Sequence, residues 1–148
     1  MEQMSDDKTA VDVKTANEQF YRAFEKRDLD AMDRVWKHSS EVRCVHPGWD
    51  VLVGWNHVRG GFERIFRGVE GFRIALGDIT VHQSGSLAVV TLTEHLMGQT
   101  TSGSFDAMIS ATNVFEVSRD GAWRLIHHHG SPIIRNEIAG AARAPMVH

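Results

Sequence analysis

Nine histidines are scattered through this 148-residue chain, and four of them stand where an imidazole could do chemistry: His46, and the run His127-His128-His129. Imidazole gains and loses a proton near neutral pH, so on the wall of an apolar cavity it suits general acid and base work. His46 closes a period-two run in which Val42, Cys44 and His46 share one face, before Pro47-Gly48 stops the strand. The triplet ends the segment Trp123 to Pro132. Strict alternation puts Trp123, Leu125, His127 and His129 on one side, with Arg124, Ile126 and His128 on the other. His127 and His129 are therefore expected to line a cavity with His46 as catalytic candidates. His128 is expected to face outward, toward solvent or a second subunit. The competing reading makes each of these a hydrogen-bonded core or interface histidine.

Two further polar residues interrupt apolar faces. Asn113 is in phase with Ala107, Ile109, Ala111, Phe115 and Val117, and a buried amide requires a hydrogen-bond partner in the protein or a ligand. Glu94 is in phase with Ala88, Val90, Leu92 and Leu96, so it too is expected to point inward, where it could orient an imidazole or form half of an acid/base pair, with a Glu at an exposed strand end the alternative. Trp49 and Tyr21 are expected as aromatic pocket walls, with plain core the alternative. A zinc site of two strand histidines plus a third ligand is disfavoured, because adjacent histidines face opposite ways and no helical H-E-x-x-H occurs. Cys44 reads as a buried strand residue and Ser131 has no nucleophile-elbow context. Phosphate loops and dinucleotide fingerprints are absent, so neither metal nor cofactor is expected.

These residues need elements to hold them. Thr9-Ala10-Val11-Asp12 has capping-box form, and Val13, Ala16, Phe20, Tyr21 and Phe24 then recur at helical spacing to about Lys26. Asp28 can cap a second helix carrying Leu29, Met32, Val35 and Trp36, ending at Ser39-Ser40. Trp49 to Gly54 reads as loop. Val58, Phe62, Ile65 and Phe66 make a third helix, despite Gly60 and Gly61. Long strands follow: Phe72 to Val81 with a phase change at Gly77-Asp78 that marks a bulge, Leu87 to Met97, Phe105 to Val117 and the histidine strand, with Asp120-Gly121 as a hairpin turn. Helices first and a strand meander after predict an α+β domain, a curved sheet wrapped around N-terminal helices with a cone-shaped cavity between.

The bulk properties narrow the function. One domain is expected at this length, with 42% apolar residues, 24% charged residues and a net charge of −3 that gives no electrostatic case for nucleic acid. No apolar run approaches the ~20 residues of a membrane span, and a single cysteine forms no internal disulfide, so a cytoplasmic protein is expected.

The short strand ending His46-Pro47-Gly48, the Gly54-Trp55 start of a helix and the Trp-x-x-x-His-x-His ending together resemble the nuclear transport factor 2-like superfamily, in its SnoaL-like branch. The resemblance covers residues 12–134, with 1–11 a flexible N-terminal tail and 135–148 a C-terminal tail. It implies a cystatin-like α+β barrel with mixed or antiparallel strands. Thr112-Asn113-Val114-Phe115 and Arg119-Asp120-Gly121-Ala122-Trp123 also resemble the association domain of calcium/calmodulin-dependent kinase, where a basic residue stands at the position of Asn113. In the related ketosteroid isomerases the general base precedes a proline on the first strand, the position His46 holds here. The resemblance implies a small apolar or amphipathic organic ligand and a homodimer. Any catalysis would be cofactor-independent: isomerisation, dehydration or cyclisation. A non-catalytic ligand-binding or assembly module is the alternative.

Overall fold

The computed structural model describes residues 2–134, with side chains from residue 13 onward, so the expected tail at 135–148 lies outside the described residues. Three helices precede or interrupt a six-stranded sheet: α1 (Glu2–Lys26), α2 (Leu29–Val35), β1 (Arg43–Val45), β2 (Leu52–Val53), α3 (Trp55–Gly68), β3 (Gly71–Ser84), β4 (Leu87–Thr100), β5 (Gly103–Val117) and β6 (Trp123–Pro132). The spatial order is β2-β1-β6-β5-β4-β3. All neighbours are antiparallel except β1 and β6, which are parallel. The fold is α+β as expected, and the curved sheet stays open, with β2 and β3 as its two edges.

Three expectations about element limits are corrected. First, α1 begins at Glu2, so the capping-box sequence at Thr9 lies within the helix. The residues before it include good helix formers and no Pro or Gly, so nothing there stops the helix. Second, the stretch read as loop contains β2, which pairs with β1 through Arg43 opposite Val53 and Cys44 opposite Leu52. Two residues are too few to show a period. Third, β4 and β5 run through the Gly-rich stretch to Thr100 and Gly103, leaving only a tight turn between them.

Elsewhere the local chemistry acts as read. Asp28 caps α2, its carboxylate accepting from the Ala31 amide at 3.0 Å. The phase change in β3 is a bulge between Gly77 and Thr80, with Asp78 at φ 52. It bends the strand over α1, which packs Val13, Ala16, Phe20, Tyr21 and Phe24 against the inner sheet face. Phe20, Phe24, Phe62 and Trp36 meet edge-on or tilted in one aromatic cluster between α1, α2 and α3. No helix among the described residues is long and apolar enough to cross a membrane.

Candidate active site

A second bulge decides which histidine faces the core. Phe115 pairs with Leu125 but Val114 pairs with His127, so Ile126 is an extra residue in β6. Alternation restarts one residue late. Leu125, His128 and Gly130 point inward and are buried, whereas His127 is half-buried on the outer face and His129 is exposed. This reverses the expected assignment: His127 and His129 leave the inner face, and His128, at 1% exposure, takes it. His127 and His129 stand with their rings 6.3 Å apart on the outer face. The His127 pKa is lowered by burial and by its neighbours His129 and Arg43.

The inner face gathers the remaining candidates into one hydrogen-bonded chain. Asn17 and Tyr21 lie one turn apart on α1, so both meet the sheet. The Tyr21 hydroxyl donates to Glu94 Oε2 at 2.6 Å. Its oxygen accepts from Asn113 Nδ2 at 3.0 Å, and the same amide nitrogen donates to Asn17 Oδ1 at 2.9 Å. Asn113 Oδ1 meets His128 Nδ1 at 2.5 Å. All five side chains are buried. Glu94 stands two rows from Asn113 along the sheet, and the row between them holds Ala111 opposite Gly130. Those small residues leave room for Glu94 Oε2 and His128 Nε2 to come within 3.9 Å.

Burial sets the charge states. It pushes the Glu94 carboxyl up to about 7, against the pull of the Tyr21 hydrogen bond. It holds His128 well below the usual imidazole range, helped by His46, His127 and His129. Below about pH 7 the Glu94–His128 approach is thus a meeting of a carboxylic acid with a neutral imidazole. Tyr21 is raised well above its ordinary value, first by burial and then by Glu94.

His46 occupies the adjoining wall. It is buried, its Nε2 lies 3.4 Å from Cys44 Sγ, and its ring is edge-on to Trp49 and Phe62, each 4.9 Å away. Burial lowers its pKa to about 4, so it is an unprotonated base at neutral pH. Its ring centroid is 6.0 Å from that of His128. Trp49 is half-buried, with the Arg64 guanidinium 4.4 Å over its face. Burial raises the Cys44 thiol, and Glu94 adds to the effect, so Cys44 is no thiolate nucleophile. Among the described residues no group of three His, Cys, Asp or Glu side chains is placed to hold a metal ion.

The structure therefore brings together Tyr21, Glu94 and Asn113, sets His46 beside them with Trp49 against it, and separates His127 and His129 from all of these. It adds Asn17, which the pattern did not single out, and His128, which strict alternation turns outward. Asn17 was readable as a polar position inside the apolar stripe of α1, between Val13 and Tyr21 at four-residue steps. His128 was misplaced because nothing in the sequence marks Ile126 as the extra residue that shifts the parity of the run after it.

The SnoaL-like domain family matches residues 13–135. F-box protein SKIP8 of Arabidopsis thaliana is 29% identical over 120 residues, covering 81% of this chain and 49% of that protein, so the chain spans about half the length of this curated relative. A candidate dehydratase of the nuclear transport factor 2-like family from Streptomyces avermitilis is 31% identical, with a TM-score of 0.80, covering 87% of this chain and 99% of its own. A candidate calcium/calmodulin-dependent protein kinase type II association domain from Thiobacillus denitrificans is 30% identical, with a TM-score of 0.72, covering 82% and 94%. The chain belongs to the SnoaL-like domain family, with the nuclear transport factor 2-like fold.

Proposed function

We propose that this protein encloses a small, largely apolar organic ligand between its helices and the inner sheet face and performs cofactor-independent proton transfer on it, as an isomerase, dehydratase or cyclase. The observation behind this reading is the pairing of a buried carboxylic acid with neutral imidazoles. Glu94 keeps its proton up to about pH 7 while His46 stays unprotonated down to about 4. An acid and a base in opposite states at one pH are what enolisation or elimination of water requires. Glu94, held by Tyr21, acts as the acid toward an oxygen of the ligand; His46 accepts the carbon-bound proton; Asn113 and Trp49 help position the ligand. The Streptomyces relative, a candidate dehydratase, is in keeping with this class of chemistry. The setting we propose is the cytoplasm, and the working unit a homodimer formed through the outer sheet face.

The test is turnover of a panel of enolisable ketones, β-hydroxy ketones and lactones by wild type, Glu94→Gln and His46→Ala. Loss of about 10²–10⁴-fold in each variant, with folding intact, is the expected result. Equal activity in His46→Ala would remove it from the mechanism. A second reading, a binding or assembly module without chemistry, is favoured by the likeness to the Thiobacillus association domain. Ligand binding without turnover across the panel would select it.

A further inference from the structure

The direction of each hydrogen bond in the buried chain fixes where its protons are. Tyr21 gives its only proton to Glu94, so its oxygen can only accept from Asn113 Nδ2. Asn17 Oδ1 accepts from the same nitrogen. Asn113 therefore presents its carbonyl oxygen to His128, and a carbonyl can only accept. His128 must carry its proton on Nδ1. Its Nε2 is left as a bare lone pair, with no hydrogen-bond partner among the described residues, facing Glu94 Oε2 at 3.9 Å. Two atoms that both hydrogen-bond one oxygen, at about 2.8 Å each and a near-tetrahedral angle, stand roughly 4.6 Å apart. The observed separation is too long for a direct bond and shorter than that bridged geometry, so a bridging oxygen spreads the two side chains slightly.

We infer that His128 Nε2 and Glu94 form a two-sided clamp for the hydroxyl group of an uncharged ligand, and that Asn113 is the positioning residue that creates it. A hydroxyl serves both arms, donating its proton to Nε2 and accepting the carboxylic acid proton of Glu94. A ketone oxygen can accept from Glu94 but has nothing to give Nε2. A carboxylate is disfavoured by charge: among the described residues the buried polar side chains are Asn17, His46, Glu94, Asn113 and His128, and the set holds no Lys or Arg to balance an anion. This inference rests on the reading of the buried chain as a ligand site, and it narrows the ligand to molecules that carry a hydroxyl group, the β-hydroxy ketones of the panel among them.

The experiment is nitrogen-15 NMR of the histidine side chains in the intact protein between pH 5 and 6.5, where Glu94 keeps its proton and His46 has lost its own, with His128 assigned through His128→Gln. The expected signature is a protonated Nδ1 and a bare Nε2, the opposite of the tautomer favoured by a free histidine side chain. Cyclohexanol should shift the Nε2 resonance in the direction of an accepted hydrogen bond, cyclohexanone should shift it far less, and cyclohexanecarboxylate should leave it unmoved. Asn113→Asp, which keeps an acceptor, should retain the tautomer. Asn113→Leu should lose it, and if that variant does not fold the wild-type spectrum still decides. A proton on Nε2, or no response to cyclohexanol up to its solubility, overturns the clamp, as does a stronger response to the carboxylate. If the clamp holds while the substrate panel shows no turnover, the catalytic reading fails and the ligand class stands.

Discussion

Glu94 and His46 pull the stability of this protein in opposite directions with pH. Glu94 has a folded-state pKa raised from 4.5 to about 7, so its contribution is fully present below 4.5 and is lost as pH rises through 7. The amount is on the order of 3 kcal/mol. His46 is depressed from 6.5 to about 4, so its contribution is present above 6.5 and lost as pH falls through 4. The groups facing Glu94 are Tyr21 on α1 and His128 on β6, with Cys44 on β1 nearby, and burial holds all three neutral over this range. Glu94→Gln is therefore expected to flatten the alkaline decline in stability between pH 5 and 8 while leaving the acid limb intact, as denaturant melts across that range will show. Tyr21→Phe removes the hydrogen bond that favours the ionised carboxylate, so the Glu94 titration should move upward, read from the pH dependence of activity or from carboxyl carbon shifts. Glu94, Asn113 and Tyr21 were legible in the sequence because each keeps step with apolar neighbours. Their partner His128 was not, because parity is lost at a bulge.

At the scale of elements, the two adjacent glycines of α3 separate into different roles. A Cβ on Gly60 would meet nothing within 4 Å, and Gly60→Ala should stabilise the protein by about 1 kcal/mol through helix propensity. A Cβ on Gly61 would come within 2.5 Å of Leu52 Cδ1 and 3.7 Å of His46 Nε2. Gly61→Ala should gain little or lose stability, and thermal unfolding of the two variants side by side will separate them. Gly61 is thus the close approach that lets α3 lie on β2 and the first histidine. In β6 the bulge at Ile126 has a related consequence. Removing that residue restores plain alternation from Leu125 and leaves His128 inward, so a deletion variant should keep the buried imidazole and its nitrogen-15 signature. Element types and order were readable from period and caps. Limits failed where tertiary pairing set them: β2 is a strand because β1 lies beside it, and α1 continues ahead of its capping sequence.

For the whole molecule, an open sheet leaves one broad face without helices. Its rows run Thr91, Thr112, His129 and Val89, Val114, His127 across β4, β5 and β6, with Met97 and Met108 beyond. This mixed apolar and hydroxyl surface is where the proposed homodimer would form, and light scattering is expected to give twice the mass of the chain. Val114→Arg at the centre of that face should shift the mass to that of a monomer without loss of helical signal. Burial of the opposite face was legible because the apolar phase runs unbroken along β4 and β5, but that phase has a weakness. Shifting two long strands past each other by two residues preserves it, so hydrophobic alternation alone cannot tell the right pairing from that error. The chain of Asn17, Tyr21, Glu94, Asn113 and His128 can. Its members come from α1, β4, β5 and β6, and a two-residue slip of β5 would strand the Asn113 amide among apolar groups at about 1–3 kcal/mol for each bond lost. The residues proposed to hold a ligand thereby also proofread the sheet, rejecting alignments that the hydrophobic pattern would accept.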